Sequence, residues 1–152
     1  MPLSFHHLAI QCADLQACER FYREVLGLEL LRRWPKEVGV GDRSVWLQVG
    51  DGFLALERAE KPPQLRAWRD GEPGLHLVAL RIPAQERPAW EERLAAAGVE
   101  VVHTTRWTLY VCDPEGNRVG LTHYPEDAPE ETAARSSGSP GGRGGRRTGR
   151  GQ

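Results

Sequence analysis

Apolar and polar positions alternate along the start of this chain and then shift to a three-and-four spacing, and the same sequence of events occurs again later. Phe5 to Gln11 predicts a strand with His7, Ala9 and Gln11 on one face and His6, Leu8 and Ile10 on the other, because successive strand side chains point to opposite faces. From Asp14 the spacing becomes helical, with Leu15, Cys18, Phe21, Tyr22, Val25 and Leu26 recurring on one side. Asp14 suits the N-cap, and Gly27 suits the position after the helix, where a left-handed backbone costs glycine little. Further strands are predicted over 28–34, 44–49 and 53–57. Gly50-Asp51-Gly52 joins the last two in a turn able to take positive φ. Pro62, Pro63 and Pro73 punctuate the connection that follows, with Trp68 expected to pack it down.

The order then returns. Gly74 to Ile82 predicts a strand closed by Pro83, and 87–97 predicts a helix with Trp90, Leu94 and Ala97 inward. Pro88 fits only its first turn, where the missing N–H is not needed. Strands over 99–102, 107–112 and 118–123 follow, the last two paired across Asp113-Pro114-Glu115-Gly116-Asn117. His7-Leu8-Ala9-Ile10 and His76-Leu77-Val78-Ala79-Leu80 open the two halves. His7 to Gly27 spans twenty positions and His76 to Gly98 twenty-two, which predicts a duplicated unit with a period near seventy residues. Each half reads β-α-β-β-β. The expectation is an α+β domain over 1–125, built from tandem modules at about 3–58 and 74–125 that cover each other's faces.

Composition changes this picture little. A chain of 152 residues can bury a core without disulfide staples. A formal net charge of -1 gives no global pull toward nucleic acid or an anionic membrane. Cys12, Cys18 and Cys112 form no CxxC pair and read as reduced packing residues of a cytoplasmic protein. No stretch approaches the ~20 apolar residues of a membrane helix, and the first residues lack an export pattern. No membrane partner is expected. Residues 126–152 differ in kind: from Thr132 onward there are five arginines, seven glycines and no large apolar residue. That composition predicts a disordered Gly/Arg-rich tail, either inert and solubilising or a weak polyanion contact.

The wording His7-Leu-Ala-Ile, Asp14-Leu15, Phe21-Tyr22, Val25-Leu26-Gly27-Leu28 and Asp113-Pro114-Glu115-Gly116-Asn117 resembles the vicinal oxygen chelate superfamily, over residues 3–125. That family includes glyoxalase I, fosfomycin-resistance thioltransferases, extradiol dioxygenases and bleomycin-resistance binding proteins. The resemblance implies a cup of curved mixed sheets with helices on the convex side. It implies a small-molecule ligand or substrate, and homodimers whose sites form between modules of two chains. In metal-using members it implies one divalent ion (Zn, Ni, Fe or Mn), held by His or Gln of each module's first strand and by Glu of the hairpins, and acting as a Lewis acid. His7 and His76 match the strand positions. The carboxylates are missing: the hairpin positions hold Ala55, in Leu54-Ala55-Leu56, and Gly120, in Val119-Gly120-Leu121.

Two functions follow as expectations. In the first, the protein binds a hydrophobic or planar small molecule without a metal or with a weakly held one, comparable to the bleomycin-resistance proteins. His7, His76 and Gln11 are then polar anchors, Trp46 and Trp107 stack the ligand, and small residues at 55 and 120 leave room on the floor of the cup. In the second, Glu57, two residues beyond Ala55 on the same face, completes a set with His7 and His76. The protein is then a metal-dependent lyase or dioxygenase of glyoxalase or extradiol type, with Glu57 doubling as a catalytic base.

Overall fold

The computed structural model describes residues 2–63, Trp68 and residues 73–127. All of the expected tail beyond residue 127, and most of the connection around Trp68, lie outside the described residues.

The first module runs β1 (His7–Cys12), α1 (Leu15–Arg20), β2 (Leu30–Pro35), β3 (Asp42–Val49) and β4 (Gly52–Arg58). The second runs β5 (Val78–Arg81), α2 (Arg87–Ala96), β6 (His103–Thr104), β7 (Thr108–Cys112) and β8 (Arg118–Thr122). Their sheets have the orders β1-β4-β3-β2 and β5-β8-β7-β6. In each, the first strand runs parallel to the last and the remaining pairs are antiparallel. The α+β architecture of two tandem modules is therefore the one the sequence predicts.

Local chemistry explains the first helix. Asp14 caps it by accepting the backbone N–H of Ala17 at 2.9 Å, which satisfies a donor with no partner inside the helix. The helix leaves the α path at a π-helical segment, Phe21–Val25, and ends at Gly27 with φ 77°. In the second module Pro88 lies in the first turn of α2. Two strands are shorter than predicted. The stretch expected over 99–102 is displaced: Val99 N–H still donates back to Leu94 O at 2.9 Å in the helix exit, Val102 N–H reaches Tyr110 O at 2.9 Å, and β6 begins only at His103. The strand expected from Gly74 begins pairing at Val78.

One face of each sheet is sealed by the core. Ile10, Cys12, Val45, Leu47, Leu54 and Leu56 of the first sheet, and Ile82, Leu109, Val111, Val119 and Leu121 of the second, pack into a single cluster with Leu15, Cys18, Phe21, Tyr22 and Leu94 of the helical segments. Polar contacts across the cluster tie the modules together. Tyr22 donates to Asp113 at 2.9 Å, Glu115 accepts Asp14 N–H at 2.8 Å, and Arg93 of α2 donates to the carbonyls of Val25 and Glu24 at 2.6 and 2.9 Å.

Register fixes which residues share the opposite, open face. Ala9 pairs with Ala55, and Ala79 pairs with Gly120, so these are the equivalent places of the two modules. Counting back two residues gives His7 in the first module and Leu77 in the second. His76 therefore corresponds to His6, not to His7 as the shared His-Leu wording suggests. Leu80 and Ile82 decide this: they pack against or within the core, and a one-residue slip would turn them outward.

Candidate functional site

The open face of the first sheet carries a row of rings. His7 pairs with Phe53, Phe53 lies diagonal to Trp46, and Trp46 lies diagonal to Trp34, so the row crosses all four strands. His7 and Phe53 are stacked with centroids 4.7 Å apart, Phe53 and Trp46 are stacked at 4.5 Å, and Trp34 meets Trp46 edge-on at 5.3 Å. The Arg32 guanidinium sits 3.8 Å over the Trp34 ring at one end. At the other end His6 and His7 bring their Nδ1 atoms to 2.8 Å. The buried indole N–H groups of Trp34 and Trp46 have no acceptor among the described residues. Ala55 lies beneath this row at 2 % exposure, whereas His7, Ala9 and Gln11 remain exposed.

Glu57 shares that face but not that place. It sits opposite Gln11 and accepts a hydrogen bond from Ser44 at 2.7 Å. The residue opposite His7 is Phe53, four positions away, which is about 13 Å along the strand. Glu57 is therefore not brought to His7.

His76 lies before β5 begins, at the junction of the modules. It lines a cavity of about 290 Å³ together with Ile10, Glu115 and Arg118. Arg118 is 6 % exposed and directs Nη1 to His76 Nδ1 at 3.2 Å and to the His76 carbonyl at 3.4 Å. His7 is not among the residues lining that cavity. Among the described residues, no three His, Cys, Asp or Glu side chains converge closely enough to hold a metal ion. The donor set expected for a divalent cation, His7, His76 and Glu57, thus does not fit one within the chain.

The open face of the second sheet is also aromatic, through residues to which the sequence assigns no ligand role, among them Trp68, expected only to pack down its connection. Trp68 packs on Tyr110 at 5.3 Å and on His103 at 5.7 Å, with the Arg118 guanidinium 5.5 Å from its ring. Tyr110 pairs with Gly120, and a Cβ at Gly120 would meet Thr108 Cγ2 at 3.2 Å, Leu77 Cδ1 at 3.5 Å and Tyr110 Cε1 at 3.7 Å. The expected free space above Gly120 is filled by these three side chains. A large ring placed opposite a glycine was the available signal. Trp107, expected to stack a ligand, is elsewhere: its indole N–H donates to Asp127 at 3.1 Å and its ring meets Tyr124 edge-on at 5.2 Å. It precedes β7 and differs in parity from Thr108 and Tyr110, which puts it at the rim.

Two thiols and a phenol near the module junction have raised pKa values. Hydrogen bonding to Cys12, then burial, pushes the Cys18 thiol up. Burial, then the Asp113 charge, pushes the Cys112 thiol and the Tyr22 phenol up. All three stay protonated at neutral pH, the thiols as packing groups and the phenol as the donor to Asp113.

A family model described as Glyoxalase/Bleomycin resistance protein/Dioxygenase superfamily matches residues 4–132. A glutathione transferase, FosA, of Serratia marcescens is 27% identical over 128 residues, 80% of this chain and 81% of that protein. The structure of a glyoxalase/dioxygenase from Nostoc punctiforme superposes with a TM-score of 0.67 at 23% identity, covering 80% of this chain and 90% of that one. A variant of the fosfomycin resistance protein FosX of Listeria monocytogenes, complexed with Mn(II) and 1S,2S-dihydroxypropylphosphonic acid, superposes with a TM-score of 0.63 at 14% identity, covering 80% and 93%.

Proposed function

The chain belongs to the glyoxalase/bleomycin resistance protein/dioxygenase superfamily, and from that premise we propose that it is a small-molecule-binding member whose cup holds a planar, apolar ligand. The observation that carries this reading is the row Trp34, Trp46, Phe53 and His7, four rings on one open face at stacking or edge distances. Extended ring surface on an open sheet face offers a planar molecule more contact than an aliphatic one. Gln11, exposed on the same face, is a polar anchor at its edge.

Half of such a cup is an open sheet in the single chain. In this reading a second copy supplies the facing module, and the protein works as a homodimer. The cysteines Cys12, Cys18 and Cys112 are free, in keeping with a cytoplasmic setting, and no described helix is long and apolar enough to cross a membrane. The reading as a metal-dependent lyase or dioxygenase is not favoured, because Ala55 and Gly120 stand where the resemblance implies carboxylates and His7, His76 and Glu57 do not converge among the described residues of one chain.

The test is quenching of tryptophan fluorescence by 9-aminoacridine, a planar cation, and by naphthoquinone, a planar molecule with two acceptors. Saturable quenching with a micromolar Kd that is lost in Trp46→Ala is expected. Quenching that is linear for both probes, or equally tight in the variant, would overturn the proposal. Gel filtration that returns only a monomer at every concentration would remove the dimeric cup.

A further inference from the structure

We infer that Arg118 and Leu77 exclude a divalent cation from the second module's half of the cup, so that its occupant is held without a metal ion. The inference deepens the reading of the cup as a ligand-holding site. Its test uses only metal ions and ring protons, so a failure to find an organic ligand leaves it standing.

A histidine ligates a metal through the lone pair of one ring nitrogen while its other N–H is donated to a carbonyl or carboxylate. At His76 the neighbour is of the opposite kind. Arg118 Nη1 lies 3.2 Å from Nδ1, and a guanidinium is a donor at every nitrogen and does not deprotonate. Nδ1 must then supply the accepting lone pair, and the proton of the neutral ring sits on Nε2. Nε2–H presents a hydrogen where a metal needs a lone pair. The Nδ1 lone pair is reached only by displacing the guanidinium, which the same Nη1 also anchors at the His76 carbonyl, 3.4 Å away.

Register supplies the second half. The open-face strand position two residues before Ala79 is Leu77, and its methyl stands 3.5 Å from where a Cβ at residue 120 would lie. The neighbouring strand and hairpin positions of the second module are thus leucine and glycine. The corresponding positions of the first module are His7 and Ala55. Of these four positions only that of His7 carries a ligating side chain, fewer than the three protein ligands that sites with open coordination positions keep. A cup assembled from two copies inherits the same deficit, because each copy contributes the same residues.

The experiment is long-range 1H–15N correlation on the full, 15N-labelled chain at neutral pH, with and without one equivalent of Mn2+. The expected result is His76 in the Nε2–H form, with its ring signals retained after Mn2+ is added. In Arg118→Leu the preference for one tautomer should be lost. A His76 ring protonated on Nδ1 in the wild-type protein would overturn the inference. So would Mn2+ broadening that falls first and most strongly on His76. Both readings come from the unmodified chain, so they hold even if the variant does not fold.

Discussion

Tyr22 donates its phenolic hydrogen to Asp113 at 2.9 Å, joining the helical segment of the first module to the β7–β8 turn of the second. Asp113 is itself saturated: one oxygen accepts the backbone N–H groups of Glu115 and Asn117 at 2.9 and 2.8 Å, and the other accepts the Asn117 amide at 2.9 Å. The carboxylate that shapes the turn therefore also fixes how the modules meet. The packing that results sets the relative placement of the two open faces, and with it the shape of any cup they contribute to.

Replacing Tyr22 by phenylalanine keeps the ring and deletes one hydrogen bond to a buried charge. Tyr22 is fully buried and Asp113 is 4 % exposed, so water does not take the place of the phenol without rearrangement. A loss of about 1.5–3 kcal/mol is expected, the range for hydrogen bonds to charged groups. Urea unfolding should show a lower midpoint at an unchanged slope. An unchanged midpoint would mean that the Tyr22–Asp113 bond adds nothing to the apolar packing and the remaining polar contacts between the modules.

The same phenol predicts a pH dependence. Burial, and then the Asp113 charge, hold its pKa well above the usual value. In the unfolded chain tyrosine loses its proton near pH ~10. The contribution is fully present below that pH, where both states are protonated, and is lost as pH rises toward the folded value. The raised thiols of Cys18 and Cys112 act in the same direction from about pH 8.5. The urea midpoint should fall gently from about pH 8.5 and more steeply above about pH 10, and Tyr22→Phe should keep the first fall and lose the second.

Elements specified by neighbours in sequence were legible from the residues alone. The Asp14 cap, the Gly27 exit and the Gly50-Asp51-Gly52 turn each rest on a few contiguous residues and occur where predicted. Register was not legible in the same way. In His76-Leu77-Val78-Ala79-Leu80 every residue after the histidine is apolar, so alternation gives no parity, and the repeated His-Leu wording pointed to the wrong one. Ile82, buried in the core at 4 % exposure, is the residue that settles which face His76 takes. Likewise Trp68 reaches Tyr110 across 42 positions of sequence, a contact no local pattern announces. Ala55 and Gly120 stand where the resemblance implies carboxylates, but the sequence carries no sign that Thr108, Leu77 and Tyr110 close the space above Gly120.

Phe53 links Trp46 to His7, stacking on one at 4.5 Å and on the other at 4.7 Å. Phe53→Leu removes both ring pairs while keeping an apolar side chain over Ala55. Aromatic pairs contribute about 0.5–1.5 kcal/mol each beyond their buried area, so the platform should lose about 1–3 kcal/mol of order. If a planar ligand uses the row as a surface, its affinity should drop roughly tenfold or more, measured by the same fluorescence titration. Affinity equal to the wild type would place the ligand on the second sheet, beside Trp68 and Tyr110.

The cross-strand pair Thr108–Thr122, with Oγ1 atoms 2.9 Å apart, stands in the second sheet where Ser44–Glu57 stands in the first. It fixes the rotamer of Thr108 and so the position of Cγ2, 3.2 Å from where a Cβ at residue 120 would be. Gly120→Ala should therefore be destabilising although alanine suits a strand better than glycine does. The methyl cannot swing away without breaking the Thr108–Thr122 bond, and overpacking of this kind costs about 1–3 kcal/mol. Thr108→Ser removes Cγ2 and keeps Oγ1. In a double-mutant cycle it should rescue most of the loss, with a coupling of at least about 0.5 kcal/mol. Additive effects would show that Leu77 or Tyr110, not Thr108, limits the space above Gly120.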